Sequence, residues 1–137
     1  MKIVSKTGVA KYPANNIYQF ISDFRNFNNF IPADTVSGWE ADTDTCSFSV
    51  SMLGKMGLRI IEKQDGKLVK ISSIPEISQY NFTLWIQFAE VNAAESKIRI
   101  TIEPQLNQVM LTMAKKPLKS FIDSLVDEIE NFHFPDQ

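Results

Sequence analysis

The sequence is poor in the residues that build metal sites, disulfides and phosphate-binding loops. It has one cysteine, Cys46, and one histidine, His133, among 137 residues. These two side chains are too few for a His/Cys metal site or an internal disulfide, and Cys46 has no visible base partner that would make it a nucleophile. The five glycines are dispersed and form no phosphate loop. We expect no metal and no cofactor, and the pattern leaves enzyme activity open without favouring it.

The chain also lacks a charge surplus and a long apolar run. Fourteen basic and sixteen acidic residues leave a net charge of −2, which argues against nucleic-acid binding. No apolar stretch approaches the ~20 residues that span a bilayer, and the opening MKIVSKTGVAKY has no apolar signal core. The length predicts a single domain over residues 1–137. We expect a soluble, cytoplasmic protein.

The first quarter of the chain predicts a strand followed by two short helices. Residues Lys2–Lys11 are rich in β-branched side chains, and Pro13 suits the first turn of a helix. Ser22 and Asp23 interrupt that helix, and Asp23 is a suitable N-cap for a second one. Pro32 closes the unit.

Between residues 35 and 105 the hydrophobic pattern alternates. The segments TCSFSVSM (45–52), YNFTLWIQF (80–88) and KIRITIE (97–103) each place apolar and polar side chains on opposite faces. Strict alternation is typical of antiparallel strands with one covered and one wet face. This region therefore predicts about six strands of one open sheet.

The dipeptide Asp65-Gly66 predicts a two-residue hairpin turn. Gln64 then pairs with Lys67. The same register places Ile60 opposite Ile71. It puts four apolar side chains and one carboxylate on a common face, namely Leu58, Ile60, Val69, Ile71 and Glu62. Because Glu62 is close to the turn, we interpret it as a strand-end carboxylate near solvent.

After residue 106 the period becomes helical and predicts one long helix of ~25 residues. Its apolar stripe comprises Met110, Met113, Ala114, Leu118, Phe121, Leu125, Ile129 and Phe132, widened by Ile122 and Val126. Pro117 predicts a kink or a restart. Lys115, Lys116 and Lys119 indicate a solvated face, with contact to an anionic head group as the alternative. We expect His133 to lie on a frayed end.

The element order resembles the helix-grip fold of the START-like, polyketide-cyclase and birch-allergen superfamily (SRPBCC). The resemblance rests on YPANNIYQFISD, on the aromatic-rich segment ending in FIP, and on MAKKPLKSFIDSLVDEIENF. It implies an α+β fold of order β-α-α-β×6-α, in which a strongly curved antiparallel sheet of about seven strands wraps around the C-terminal helix.

The resemblance also implies a deep cavity between sheet and helix that holds a hydrophobic small molecule such as a lipid, an isoprenoid or a polyketide. The alternatives are a cyclase or dehydratase type of enzyme and a chaperone-activator type of interaction module. The expected partner is therefore a hydrophobic ligand, without nucleic acid and without a transmembrane segment; transient membrane contact stays open. The sequence does not indicate an oligomeric state.

Candidate ligand-binding residues follow from the apolar faces and from this resemblance. Phe27 and Phe30 are either core or gate residues at the cavity mouth, and Trp39 or Tyr80 could offer a polar group to a ligand. Met suits surfaces that adapt to variable apolar ligands. The full predicted set is Phe27, Phe30, Trp39, Phe48, Val50, Met52, Met56, Leu58, Tyr80, Phe82, Leu84, Ile86, Met110, Met113, Leu118 and Phe121.

Overall fold

The computed structural model describes residues 1–31, 36–50 and 54–135, and Met52 lies outside these ranges. The chain is α+β, with strands before and after two short helices and one long helix at the end. The elements are β1 (Ile3–Val4), β2 (Gly8–Ala10), α1 (Ala14–Ile21), α2 (Phe24–Phe27), a 3-10 helix (Asn28–Phe30), β3 (Val36–Ala41), β4 (Thr45–Val50), β5 (Gly54–Gln64), β6 (Leu68–Ser73), β7 (Phe82–Asn92), β8 (Glu95–Pro104) and α3 (Gln108–Asn131).

The strands form one antiparallel sheet in the order β1-β8-β7-β6-β5-β4-β3, and β2 also pairs with β8. The segment that was predicted as one first strand thus forms two short strands, β1 and β2, which both pair with β8. Ser5 lies between them: its N–H donates to the Ile100 carbonyl and its hydroxyl accepts from the Ile100 N–H, both at 2.8 Å. The serine thereby keeps the pairing continuous across the break. The predicted fold class is confirmed.

The α1–α2 unit follows the predicted start and break signals. The Pro13 carbonyl accepts from Asn16 N–H at 3.1 Å and opens α1. Asp23 is the N-cap of α2, and its Oδ1 accepts from Arg25 N–H at 2.9 Å. The Phe24 N–H donates to the Thr43 carbonyl at 3.1 Å, which fixes α2 to the β3–β4 turn. Both predicted helices are confirmed.

The β5–β6 hairpin differs from its predicted turn. Ile60 does lie opposite Ile71, but Gln64 pairs with Leu68 and not with Lys67, because residues 65–67 form a three-residue turn. A bulge between Ile60 and Glu62 absorbs the additional residue. Glu62 consequently pairs with Lys70 and lies on the polar face, which corrects its predicted place on the apolar face.

Helix α3 covers the inner face of the sheet at one side. It begins at the Asn107 cap and continues through Pro117 without a restart. Its main contacts are with β8, β2, β1 and the 3-10 helix. Its buried residues are Leu111, Ile122, Leu125, Val126 and Ile129. Among the described residues, no helix combines the length and the apolar character that crossing a bilayer requires.

The orientation of α3 is fixed by carboxylates that reach the first strands. Asp123 Oδ1 accepts from Lys6 N–H and Glu130 Oε2 accepts from Val9 N–H, both at 2.7 Å. Asp127 forms an ion pair with the Lys6 ammonium. These bonds satisfy backbone donors on the outer edge of the sheet and hold the polar flank of α3 against it.

We expect Asp123 to make stability depend on pH. Burial acts to raise the pKa of Asp123, but bonds from the Lys6 backbone and from Lys119, with both positive charges, hold it below its ordinary 3.8. Its stabilising contribution is therefore complete above that value and is lost as the pH falls through the lower folded pKa. In urea unfolding, the deficit of Asp123→Asn relative to wild type should shrink between about pH 6 and about pH 2.5. If the deficit of Asp123→Asn were the same at both pH values, the pH dependence would be contradicted. Glu128→Gln, which changes an exposed carboxylate on the same helix, is the control.

Candidate functional site

The inner face of the sheet is a continuous apolar surface. Register pairs link its residues from strand to strand, for example Phe48 with Met56 and Ile71 with Leu84, so they share one side of the sheet. Of the predicted site residues on this face, Phe48, Met56, Leu58, Leu84 and Ile86 are buried, whereas Trp39, Val50 and Phe82 are half-buried. The structure thus brings eight predicted residues together, from the four strands β3, β4, β5 and β7.

The predicted residues on α3 lie at its exposed flank. Leu118 is half-buried, but Met110, Met113 and Phe121 are 41%, 76% and 40% exposed. This corrects the predicted apolar stripe at Met110, Met113 and Phe121, whereas four residues of that stripe are buried together with Leu111, namely Ile122, Leu125, Val126 and Ile129. Tyr80, in the connection between β6 and β7, is also exposed, at 38%.

Phe27 and Phe30 are buried, at 5% and 2% exposure. Phe30 belongs to an aromatic cluster, which we define as Phe20, Phe30, Phe132 and Phe134; the Phe30 ring lies 5.0 Å from that of Phe132 and 6.1 Å from that of Phe134. The cluster joins α1 and the 3-10 helix to the chain that follows α3. The role of Phe27 and Phe30 as gate residues at the cavity mouth stays a prediction.

His133 was expected to lie on a frayed end, but the two phenylalanines that flank it pack on the core. Helix α3 stops at Asn131, yet Phe134 is 5% exposed and packs edge-on against Tyr12 at 5.2 Å. His133 between the two phenylalanines is exposed. The signal in the sequence was the FHF triplet, whose alternating aromatics indicate an extended segment with one buried side.

Among the described residues, no charged side chain is buried in the interior. Its buried polar residues are serines and one threonine. Burial raises the pKa of the Cys46 thiol to about 12. Burial, and then the Asp65 carboxylate, raise the pKa of Tyr18. Both groups therefore stay uncharged at ordinary pH. Glu62 is exposed, as is His133, and within the described ranges no three His, Cys, Asp or Glu side chains are grouped to hold a metal.

The structure has two open concavities outside the set of predicted ligand-binding residues. One, of about 550 Å³, is bordered by the start of α1, the β5–β6 turn and β7, including Asp65, Lys67 and Glu90. The other, of about 370 Å³, lies beside Cys46 and Ile77. Their described borders include none of the predicted ligand-binding residues, so both are separate from the predicted cavity.

A bulge in β3 positions Trp39. Ser37 pairs with Ser49 and Glu40 with Ser47, so β3 carries one more residue than β4 between these pairs. Gly38 takes φ +66° there, a conformation that favours glycine. The Trp39 ring stacks on Phe48 at 5.2 Å and 22°. The bulge therefore places Trp39 on the inner face.

No family model and no curated protein matches the sequence. Solved structures do match its fold. An uncharacterized protein from Bacillus thuringiensis is 11% identical, with a TM-score of 0.74 over 95% of this chain and 96% of that one. A point mutant of norcoclaurine synthase from Thalictrum flavum, in complex with a transition-state analogue, is 13% identical, with a TM-score of 0.75 over 95% and 91%. The chain has the helix-grip fold.

A second structure of the Thalictrum flavum enzyme contains dopamine and hydroxybenzaldehyde; it is 11% identical, with a TM-score of 0.69 over 98% of this chain and 89% of that one. At such identities the similarity establishes the helix grip alone, since one fold hosts many functions. The function has to be argued from this chain's own side chains.

Proposed function

We propose that the protein binds a hydrophobic small molecule, such as a lipid, an isoprenoid or a polyketide-like compound, between the inner face and α3. The observation that carries this proposal is that α3 covers the inner face of the sheet unevenly. The apolar inner face extends across β3 to β7, whereas the main contacts of α3 lie at β8, β1 and β2. The part of the inner face around Phe48 and Met56 is where a ligand would extend the core.

The neutral interior favours an uncharged ligand. An ionised group would lose its hydration there without gaining a partner. A ligand that buries about 300 Å² of apolar surface gains roughly 7 kcal/mol before ordering costs. Met56 and Leu58 can adjust their rotamers to such a ligand more easily than aromatic side chains can.

One flank of α3 forms the second wall of the proposed ligand site, opposite the inner face of the sheet. Met110, Leu118 and Phe121 follow spacings of eight and three residues, so they lie along one side of α3. This flank is opposite the carboxylates Asp123 and Asp127, which face the first strands. We place this flank beside the part of the inner face that α3 does not mainly contact.

Met110→Lys should weaken the binding of a neutral apolar probe by about tenfold or more, because it introduces a charge beside an uncharged site. The measurement is fluorescence titration with N-phenyl-1-naphthylamine. Val109→Lys is the matched control: Val109 is adjacent and 71% exposed, and it projects about 100° around the helix from Met110. We expect it to leave affinity unchanged.

Equal affinities for the two folded variants would place the site elsewhere. Absence of probe binding by the wild type, together with native mass spectra free of a co-purifying small molecule, would contradict carriage altogether. The interaction-module alternative would then gain, with the cavity closed by the protein's own Phe and Met side chains. Turnover of a bound ligand would instead support the enzyme alternative.

A further inference from the structure

Trp39 carries a polar atom that the protein leaves unsatisfied. Its Nε1 is buried and has no hydrogen-bond partner, and it is the one such side-chain nitrogen or oxygen in the part of the chain that the structure describes. A buried indole N–H usually finds an acceptor, because leaving it without one costs free energy. The position of Trp39 therefore needs an explanation beyond packing.

The backbone around Trp39 adds a second unusual feature. Val36 pairs with Val50 and Ala41 with Cys46, both on the inner face, and the bulge lies between these pairs. A Cβ on Gly38 would meet nothing within 4 Å. The glycine is thus required by its φ of +66° and not by lack of space. The strand departs from regular pairing at the residue that carries the unsatisfied donor.

Within the described ranges, no acceptor lies within hydrogen-bond distance of the indole N–H. The ring is stacked on Phe48, and the neighbouring inner-face positions are Val50 and Met56. A thioether is at most a weak acceptor. An indole that only filled space could be replaced by an aromatic ring without an N–H. The acceptor that suits this donor is one that arrives with a ligand.

We propose that Trp39 is the polar contact of the ligand site and donates its Nε1–H to an oxygen of the bound molecule. The ligand is then a hydrophobic molecule with a carbonyl, ether or hydroxyl oxygen, not a plain hydrocarbon. The oxygen is held at Trp39, and the apolar part lies along the inner face. This inference rests on the proposed function and specifies the chemical class of its ligand.

The test compares two probes of nearly the same shape, 2-acetylnaphthalene and 2-ethylnaphthalene, by isothermal titration calorimetry. Only the first has an oxygen acceptor. The wild type should bind the ketone about fivefold more tightly than the hydrocarbon, as one net hydrogen bond allows. Trp39→Phe should abolish that preference while keeping the affinity for 2-ethylnaphthalene within about twofold, because the phenyl ring preserves stacking.

A second readout separates hydrogen bonding from packing. The protein has two tryptophans, so a ¹H–¹⁵N spectrum shows two indole signals, which Trp85→Phe assigns. The ketone should shift the Trp39 indole proton downfield, and the hydrocarbon should not. Trp85 is the internal control: its ring lies 4.7 Å from the Lys2 ammonium and 5.5 Å from that of Lys70, and its signal should not move.

Each outcome decides between the two proposals. If both probes bind with equal affinity to the wild type and to Trp39→Phe, the polar contact is wrong and the carrier function stands. Equal loss of both probes in folded Trp39→Phe would show that the ring acts by packing alone. An unshifted Trp39 indole signal at ketone saturation would mean that the donor binds water or nothing. If neither probe binds the wild type, the proposed function and this inference fail together.

Discussion

Replacing Phe30 by alanine is expected to reduce the free energy of unfolding by about 3–5 kcal/mol, the range for deleting a fully buried phenylalanine. The ring is 2% exposed and contacts the rings of Phe20, Phe132 and Phe134. Its loss leaves a cavity where α1, the 3-10 helix and the chain after α3 meet. Edge-to-face contacts add to the loss beyond the buried area. Urea unfolding followed by circular dichroism measures it.

Phe121→Ala is the matched control, since it deletes the same side chain from a site that is 40% exposed. We expect it to cost less than about 1.5 kcal/mol. Similar losses for the two variants would show that the aromatic cluster is not a principal stabilising contact. For probe binding we expect the opposite ranking of the two variants. Phe121→Ala should weaken binding more than Phe30→Ala does, because Phe121 borders the proposed site.

Gly8→Ala is expected to destabilise the protein by roughly 1–3 kcal/mol through overpacking. A Cβ on Gly8 would lie 2.4 Å from Val126 Cγ1 and 3.0 Å from the Glu130 side chain. Val126 is fully buried on α3, so its methyl group has nowhere to move. The added methyl would push α3 away from β2. The same urea titration provides the measurement.

The cause can be tested with the double variant Gly8→Ala/Val126→Ala. Val126→Ala alone should also destabilise, because it removes buried methyl groups. Combined, the two changes should cost at least about 1 kcal/mol less than the sum of their separate effects, since the new methyl occupies the space that the valine vacates. Strict additivity would indicate that Gly8→Ala acts through the backbone and not through the close approach of β2 to α3.

The sequence was sufficient for the architecture because each element carries its own signal. Pro13 and Asp23 mark helix starts by backbone chemistry, and both act as predicted. Alternation in residues 80–88 and 97–103 identified the buried sides of β7 and β8. The hairpin was predicted in part: the Ile60–Ile71 pair is right, but a bulge that compensates a longer turn leaves no trace in the hydrophobic pattern.

The orientation of α3 could not be read from periodicity. Its first half is apolar on several sides, with Val109, Met110, Leu111 and Met113 close together. The hydrophobic pattern therefore does not show which of these residues is buried. The choice is made by Asp123 and Glu130, whose backbone partners, Lys6 and Val9, are more than a hundred residues away in sequence.

The candidate site was predictable as a face but not in its details. The apolar inner-face residues followed from alternation, and Trp39 was chosen for its N–H. The bulge at Gly38 was not foreseen, although a glycine within a strand can mark one. Whether Nε1 has a partner depends on neighbours from β4, which no local pattern specifies.

The carboxylates of α3 have a consequence for how copies of the chain meet one another. An unpaired strand at the border of a sheet is a template for aggregation, because its free N–H groups can recruit a strand from another molecule. Here the outward N–H of Val9 is already bonded to Glu130, and that of Lys6 to Asp123. A strand approaching this border would meet a helix and negative charge. The helix that covers the interior thus also shields β2 against intermolecular strand addition.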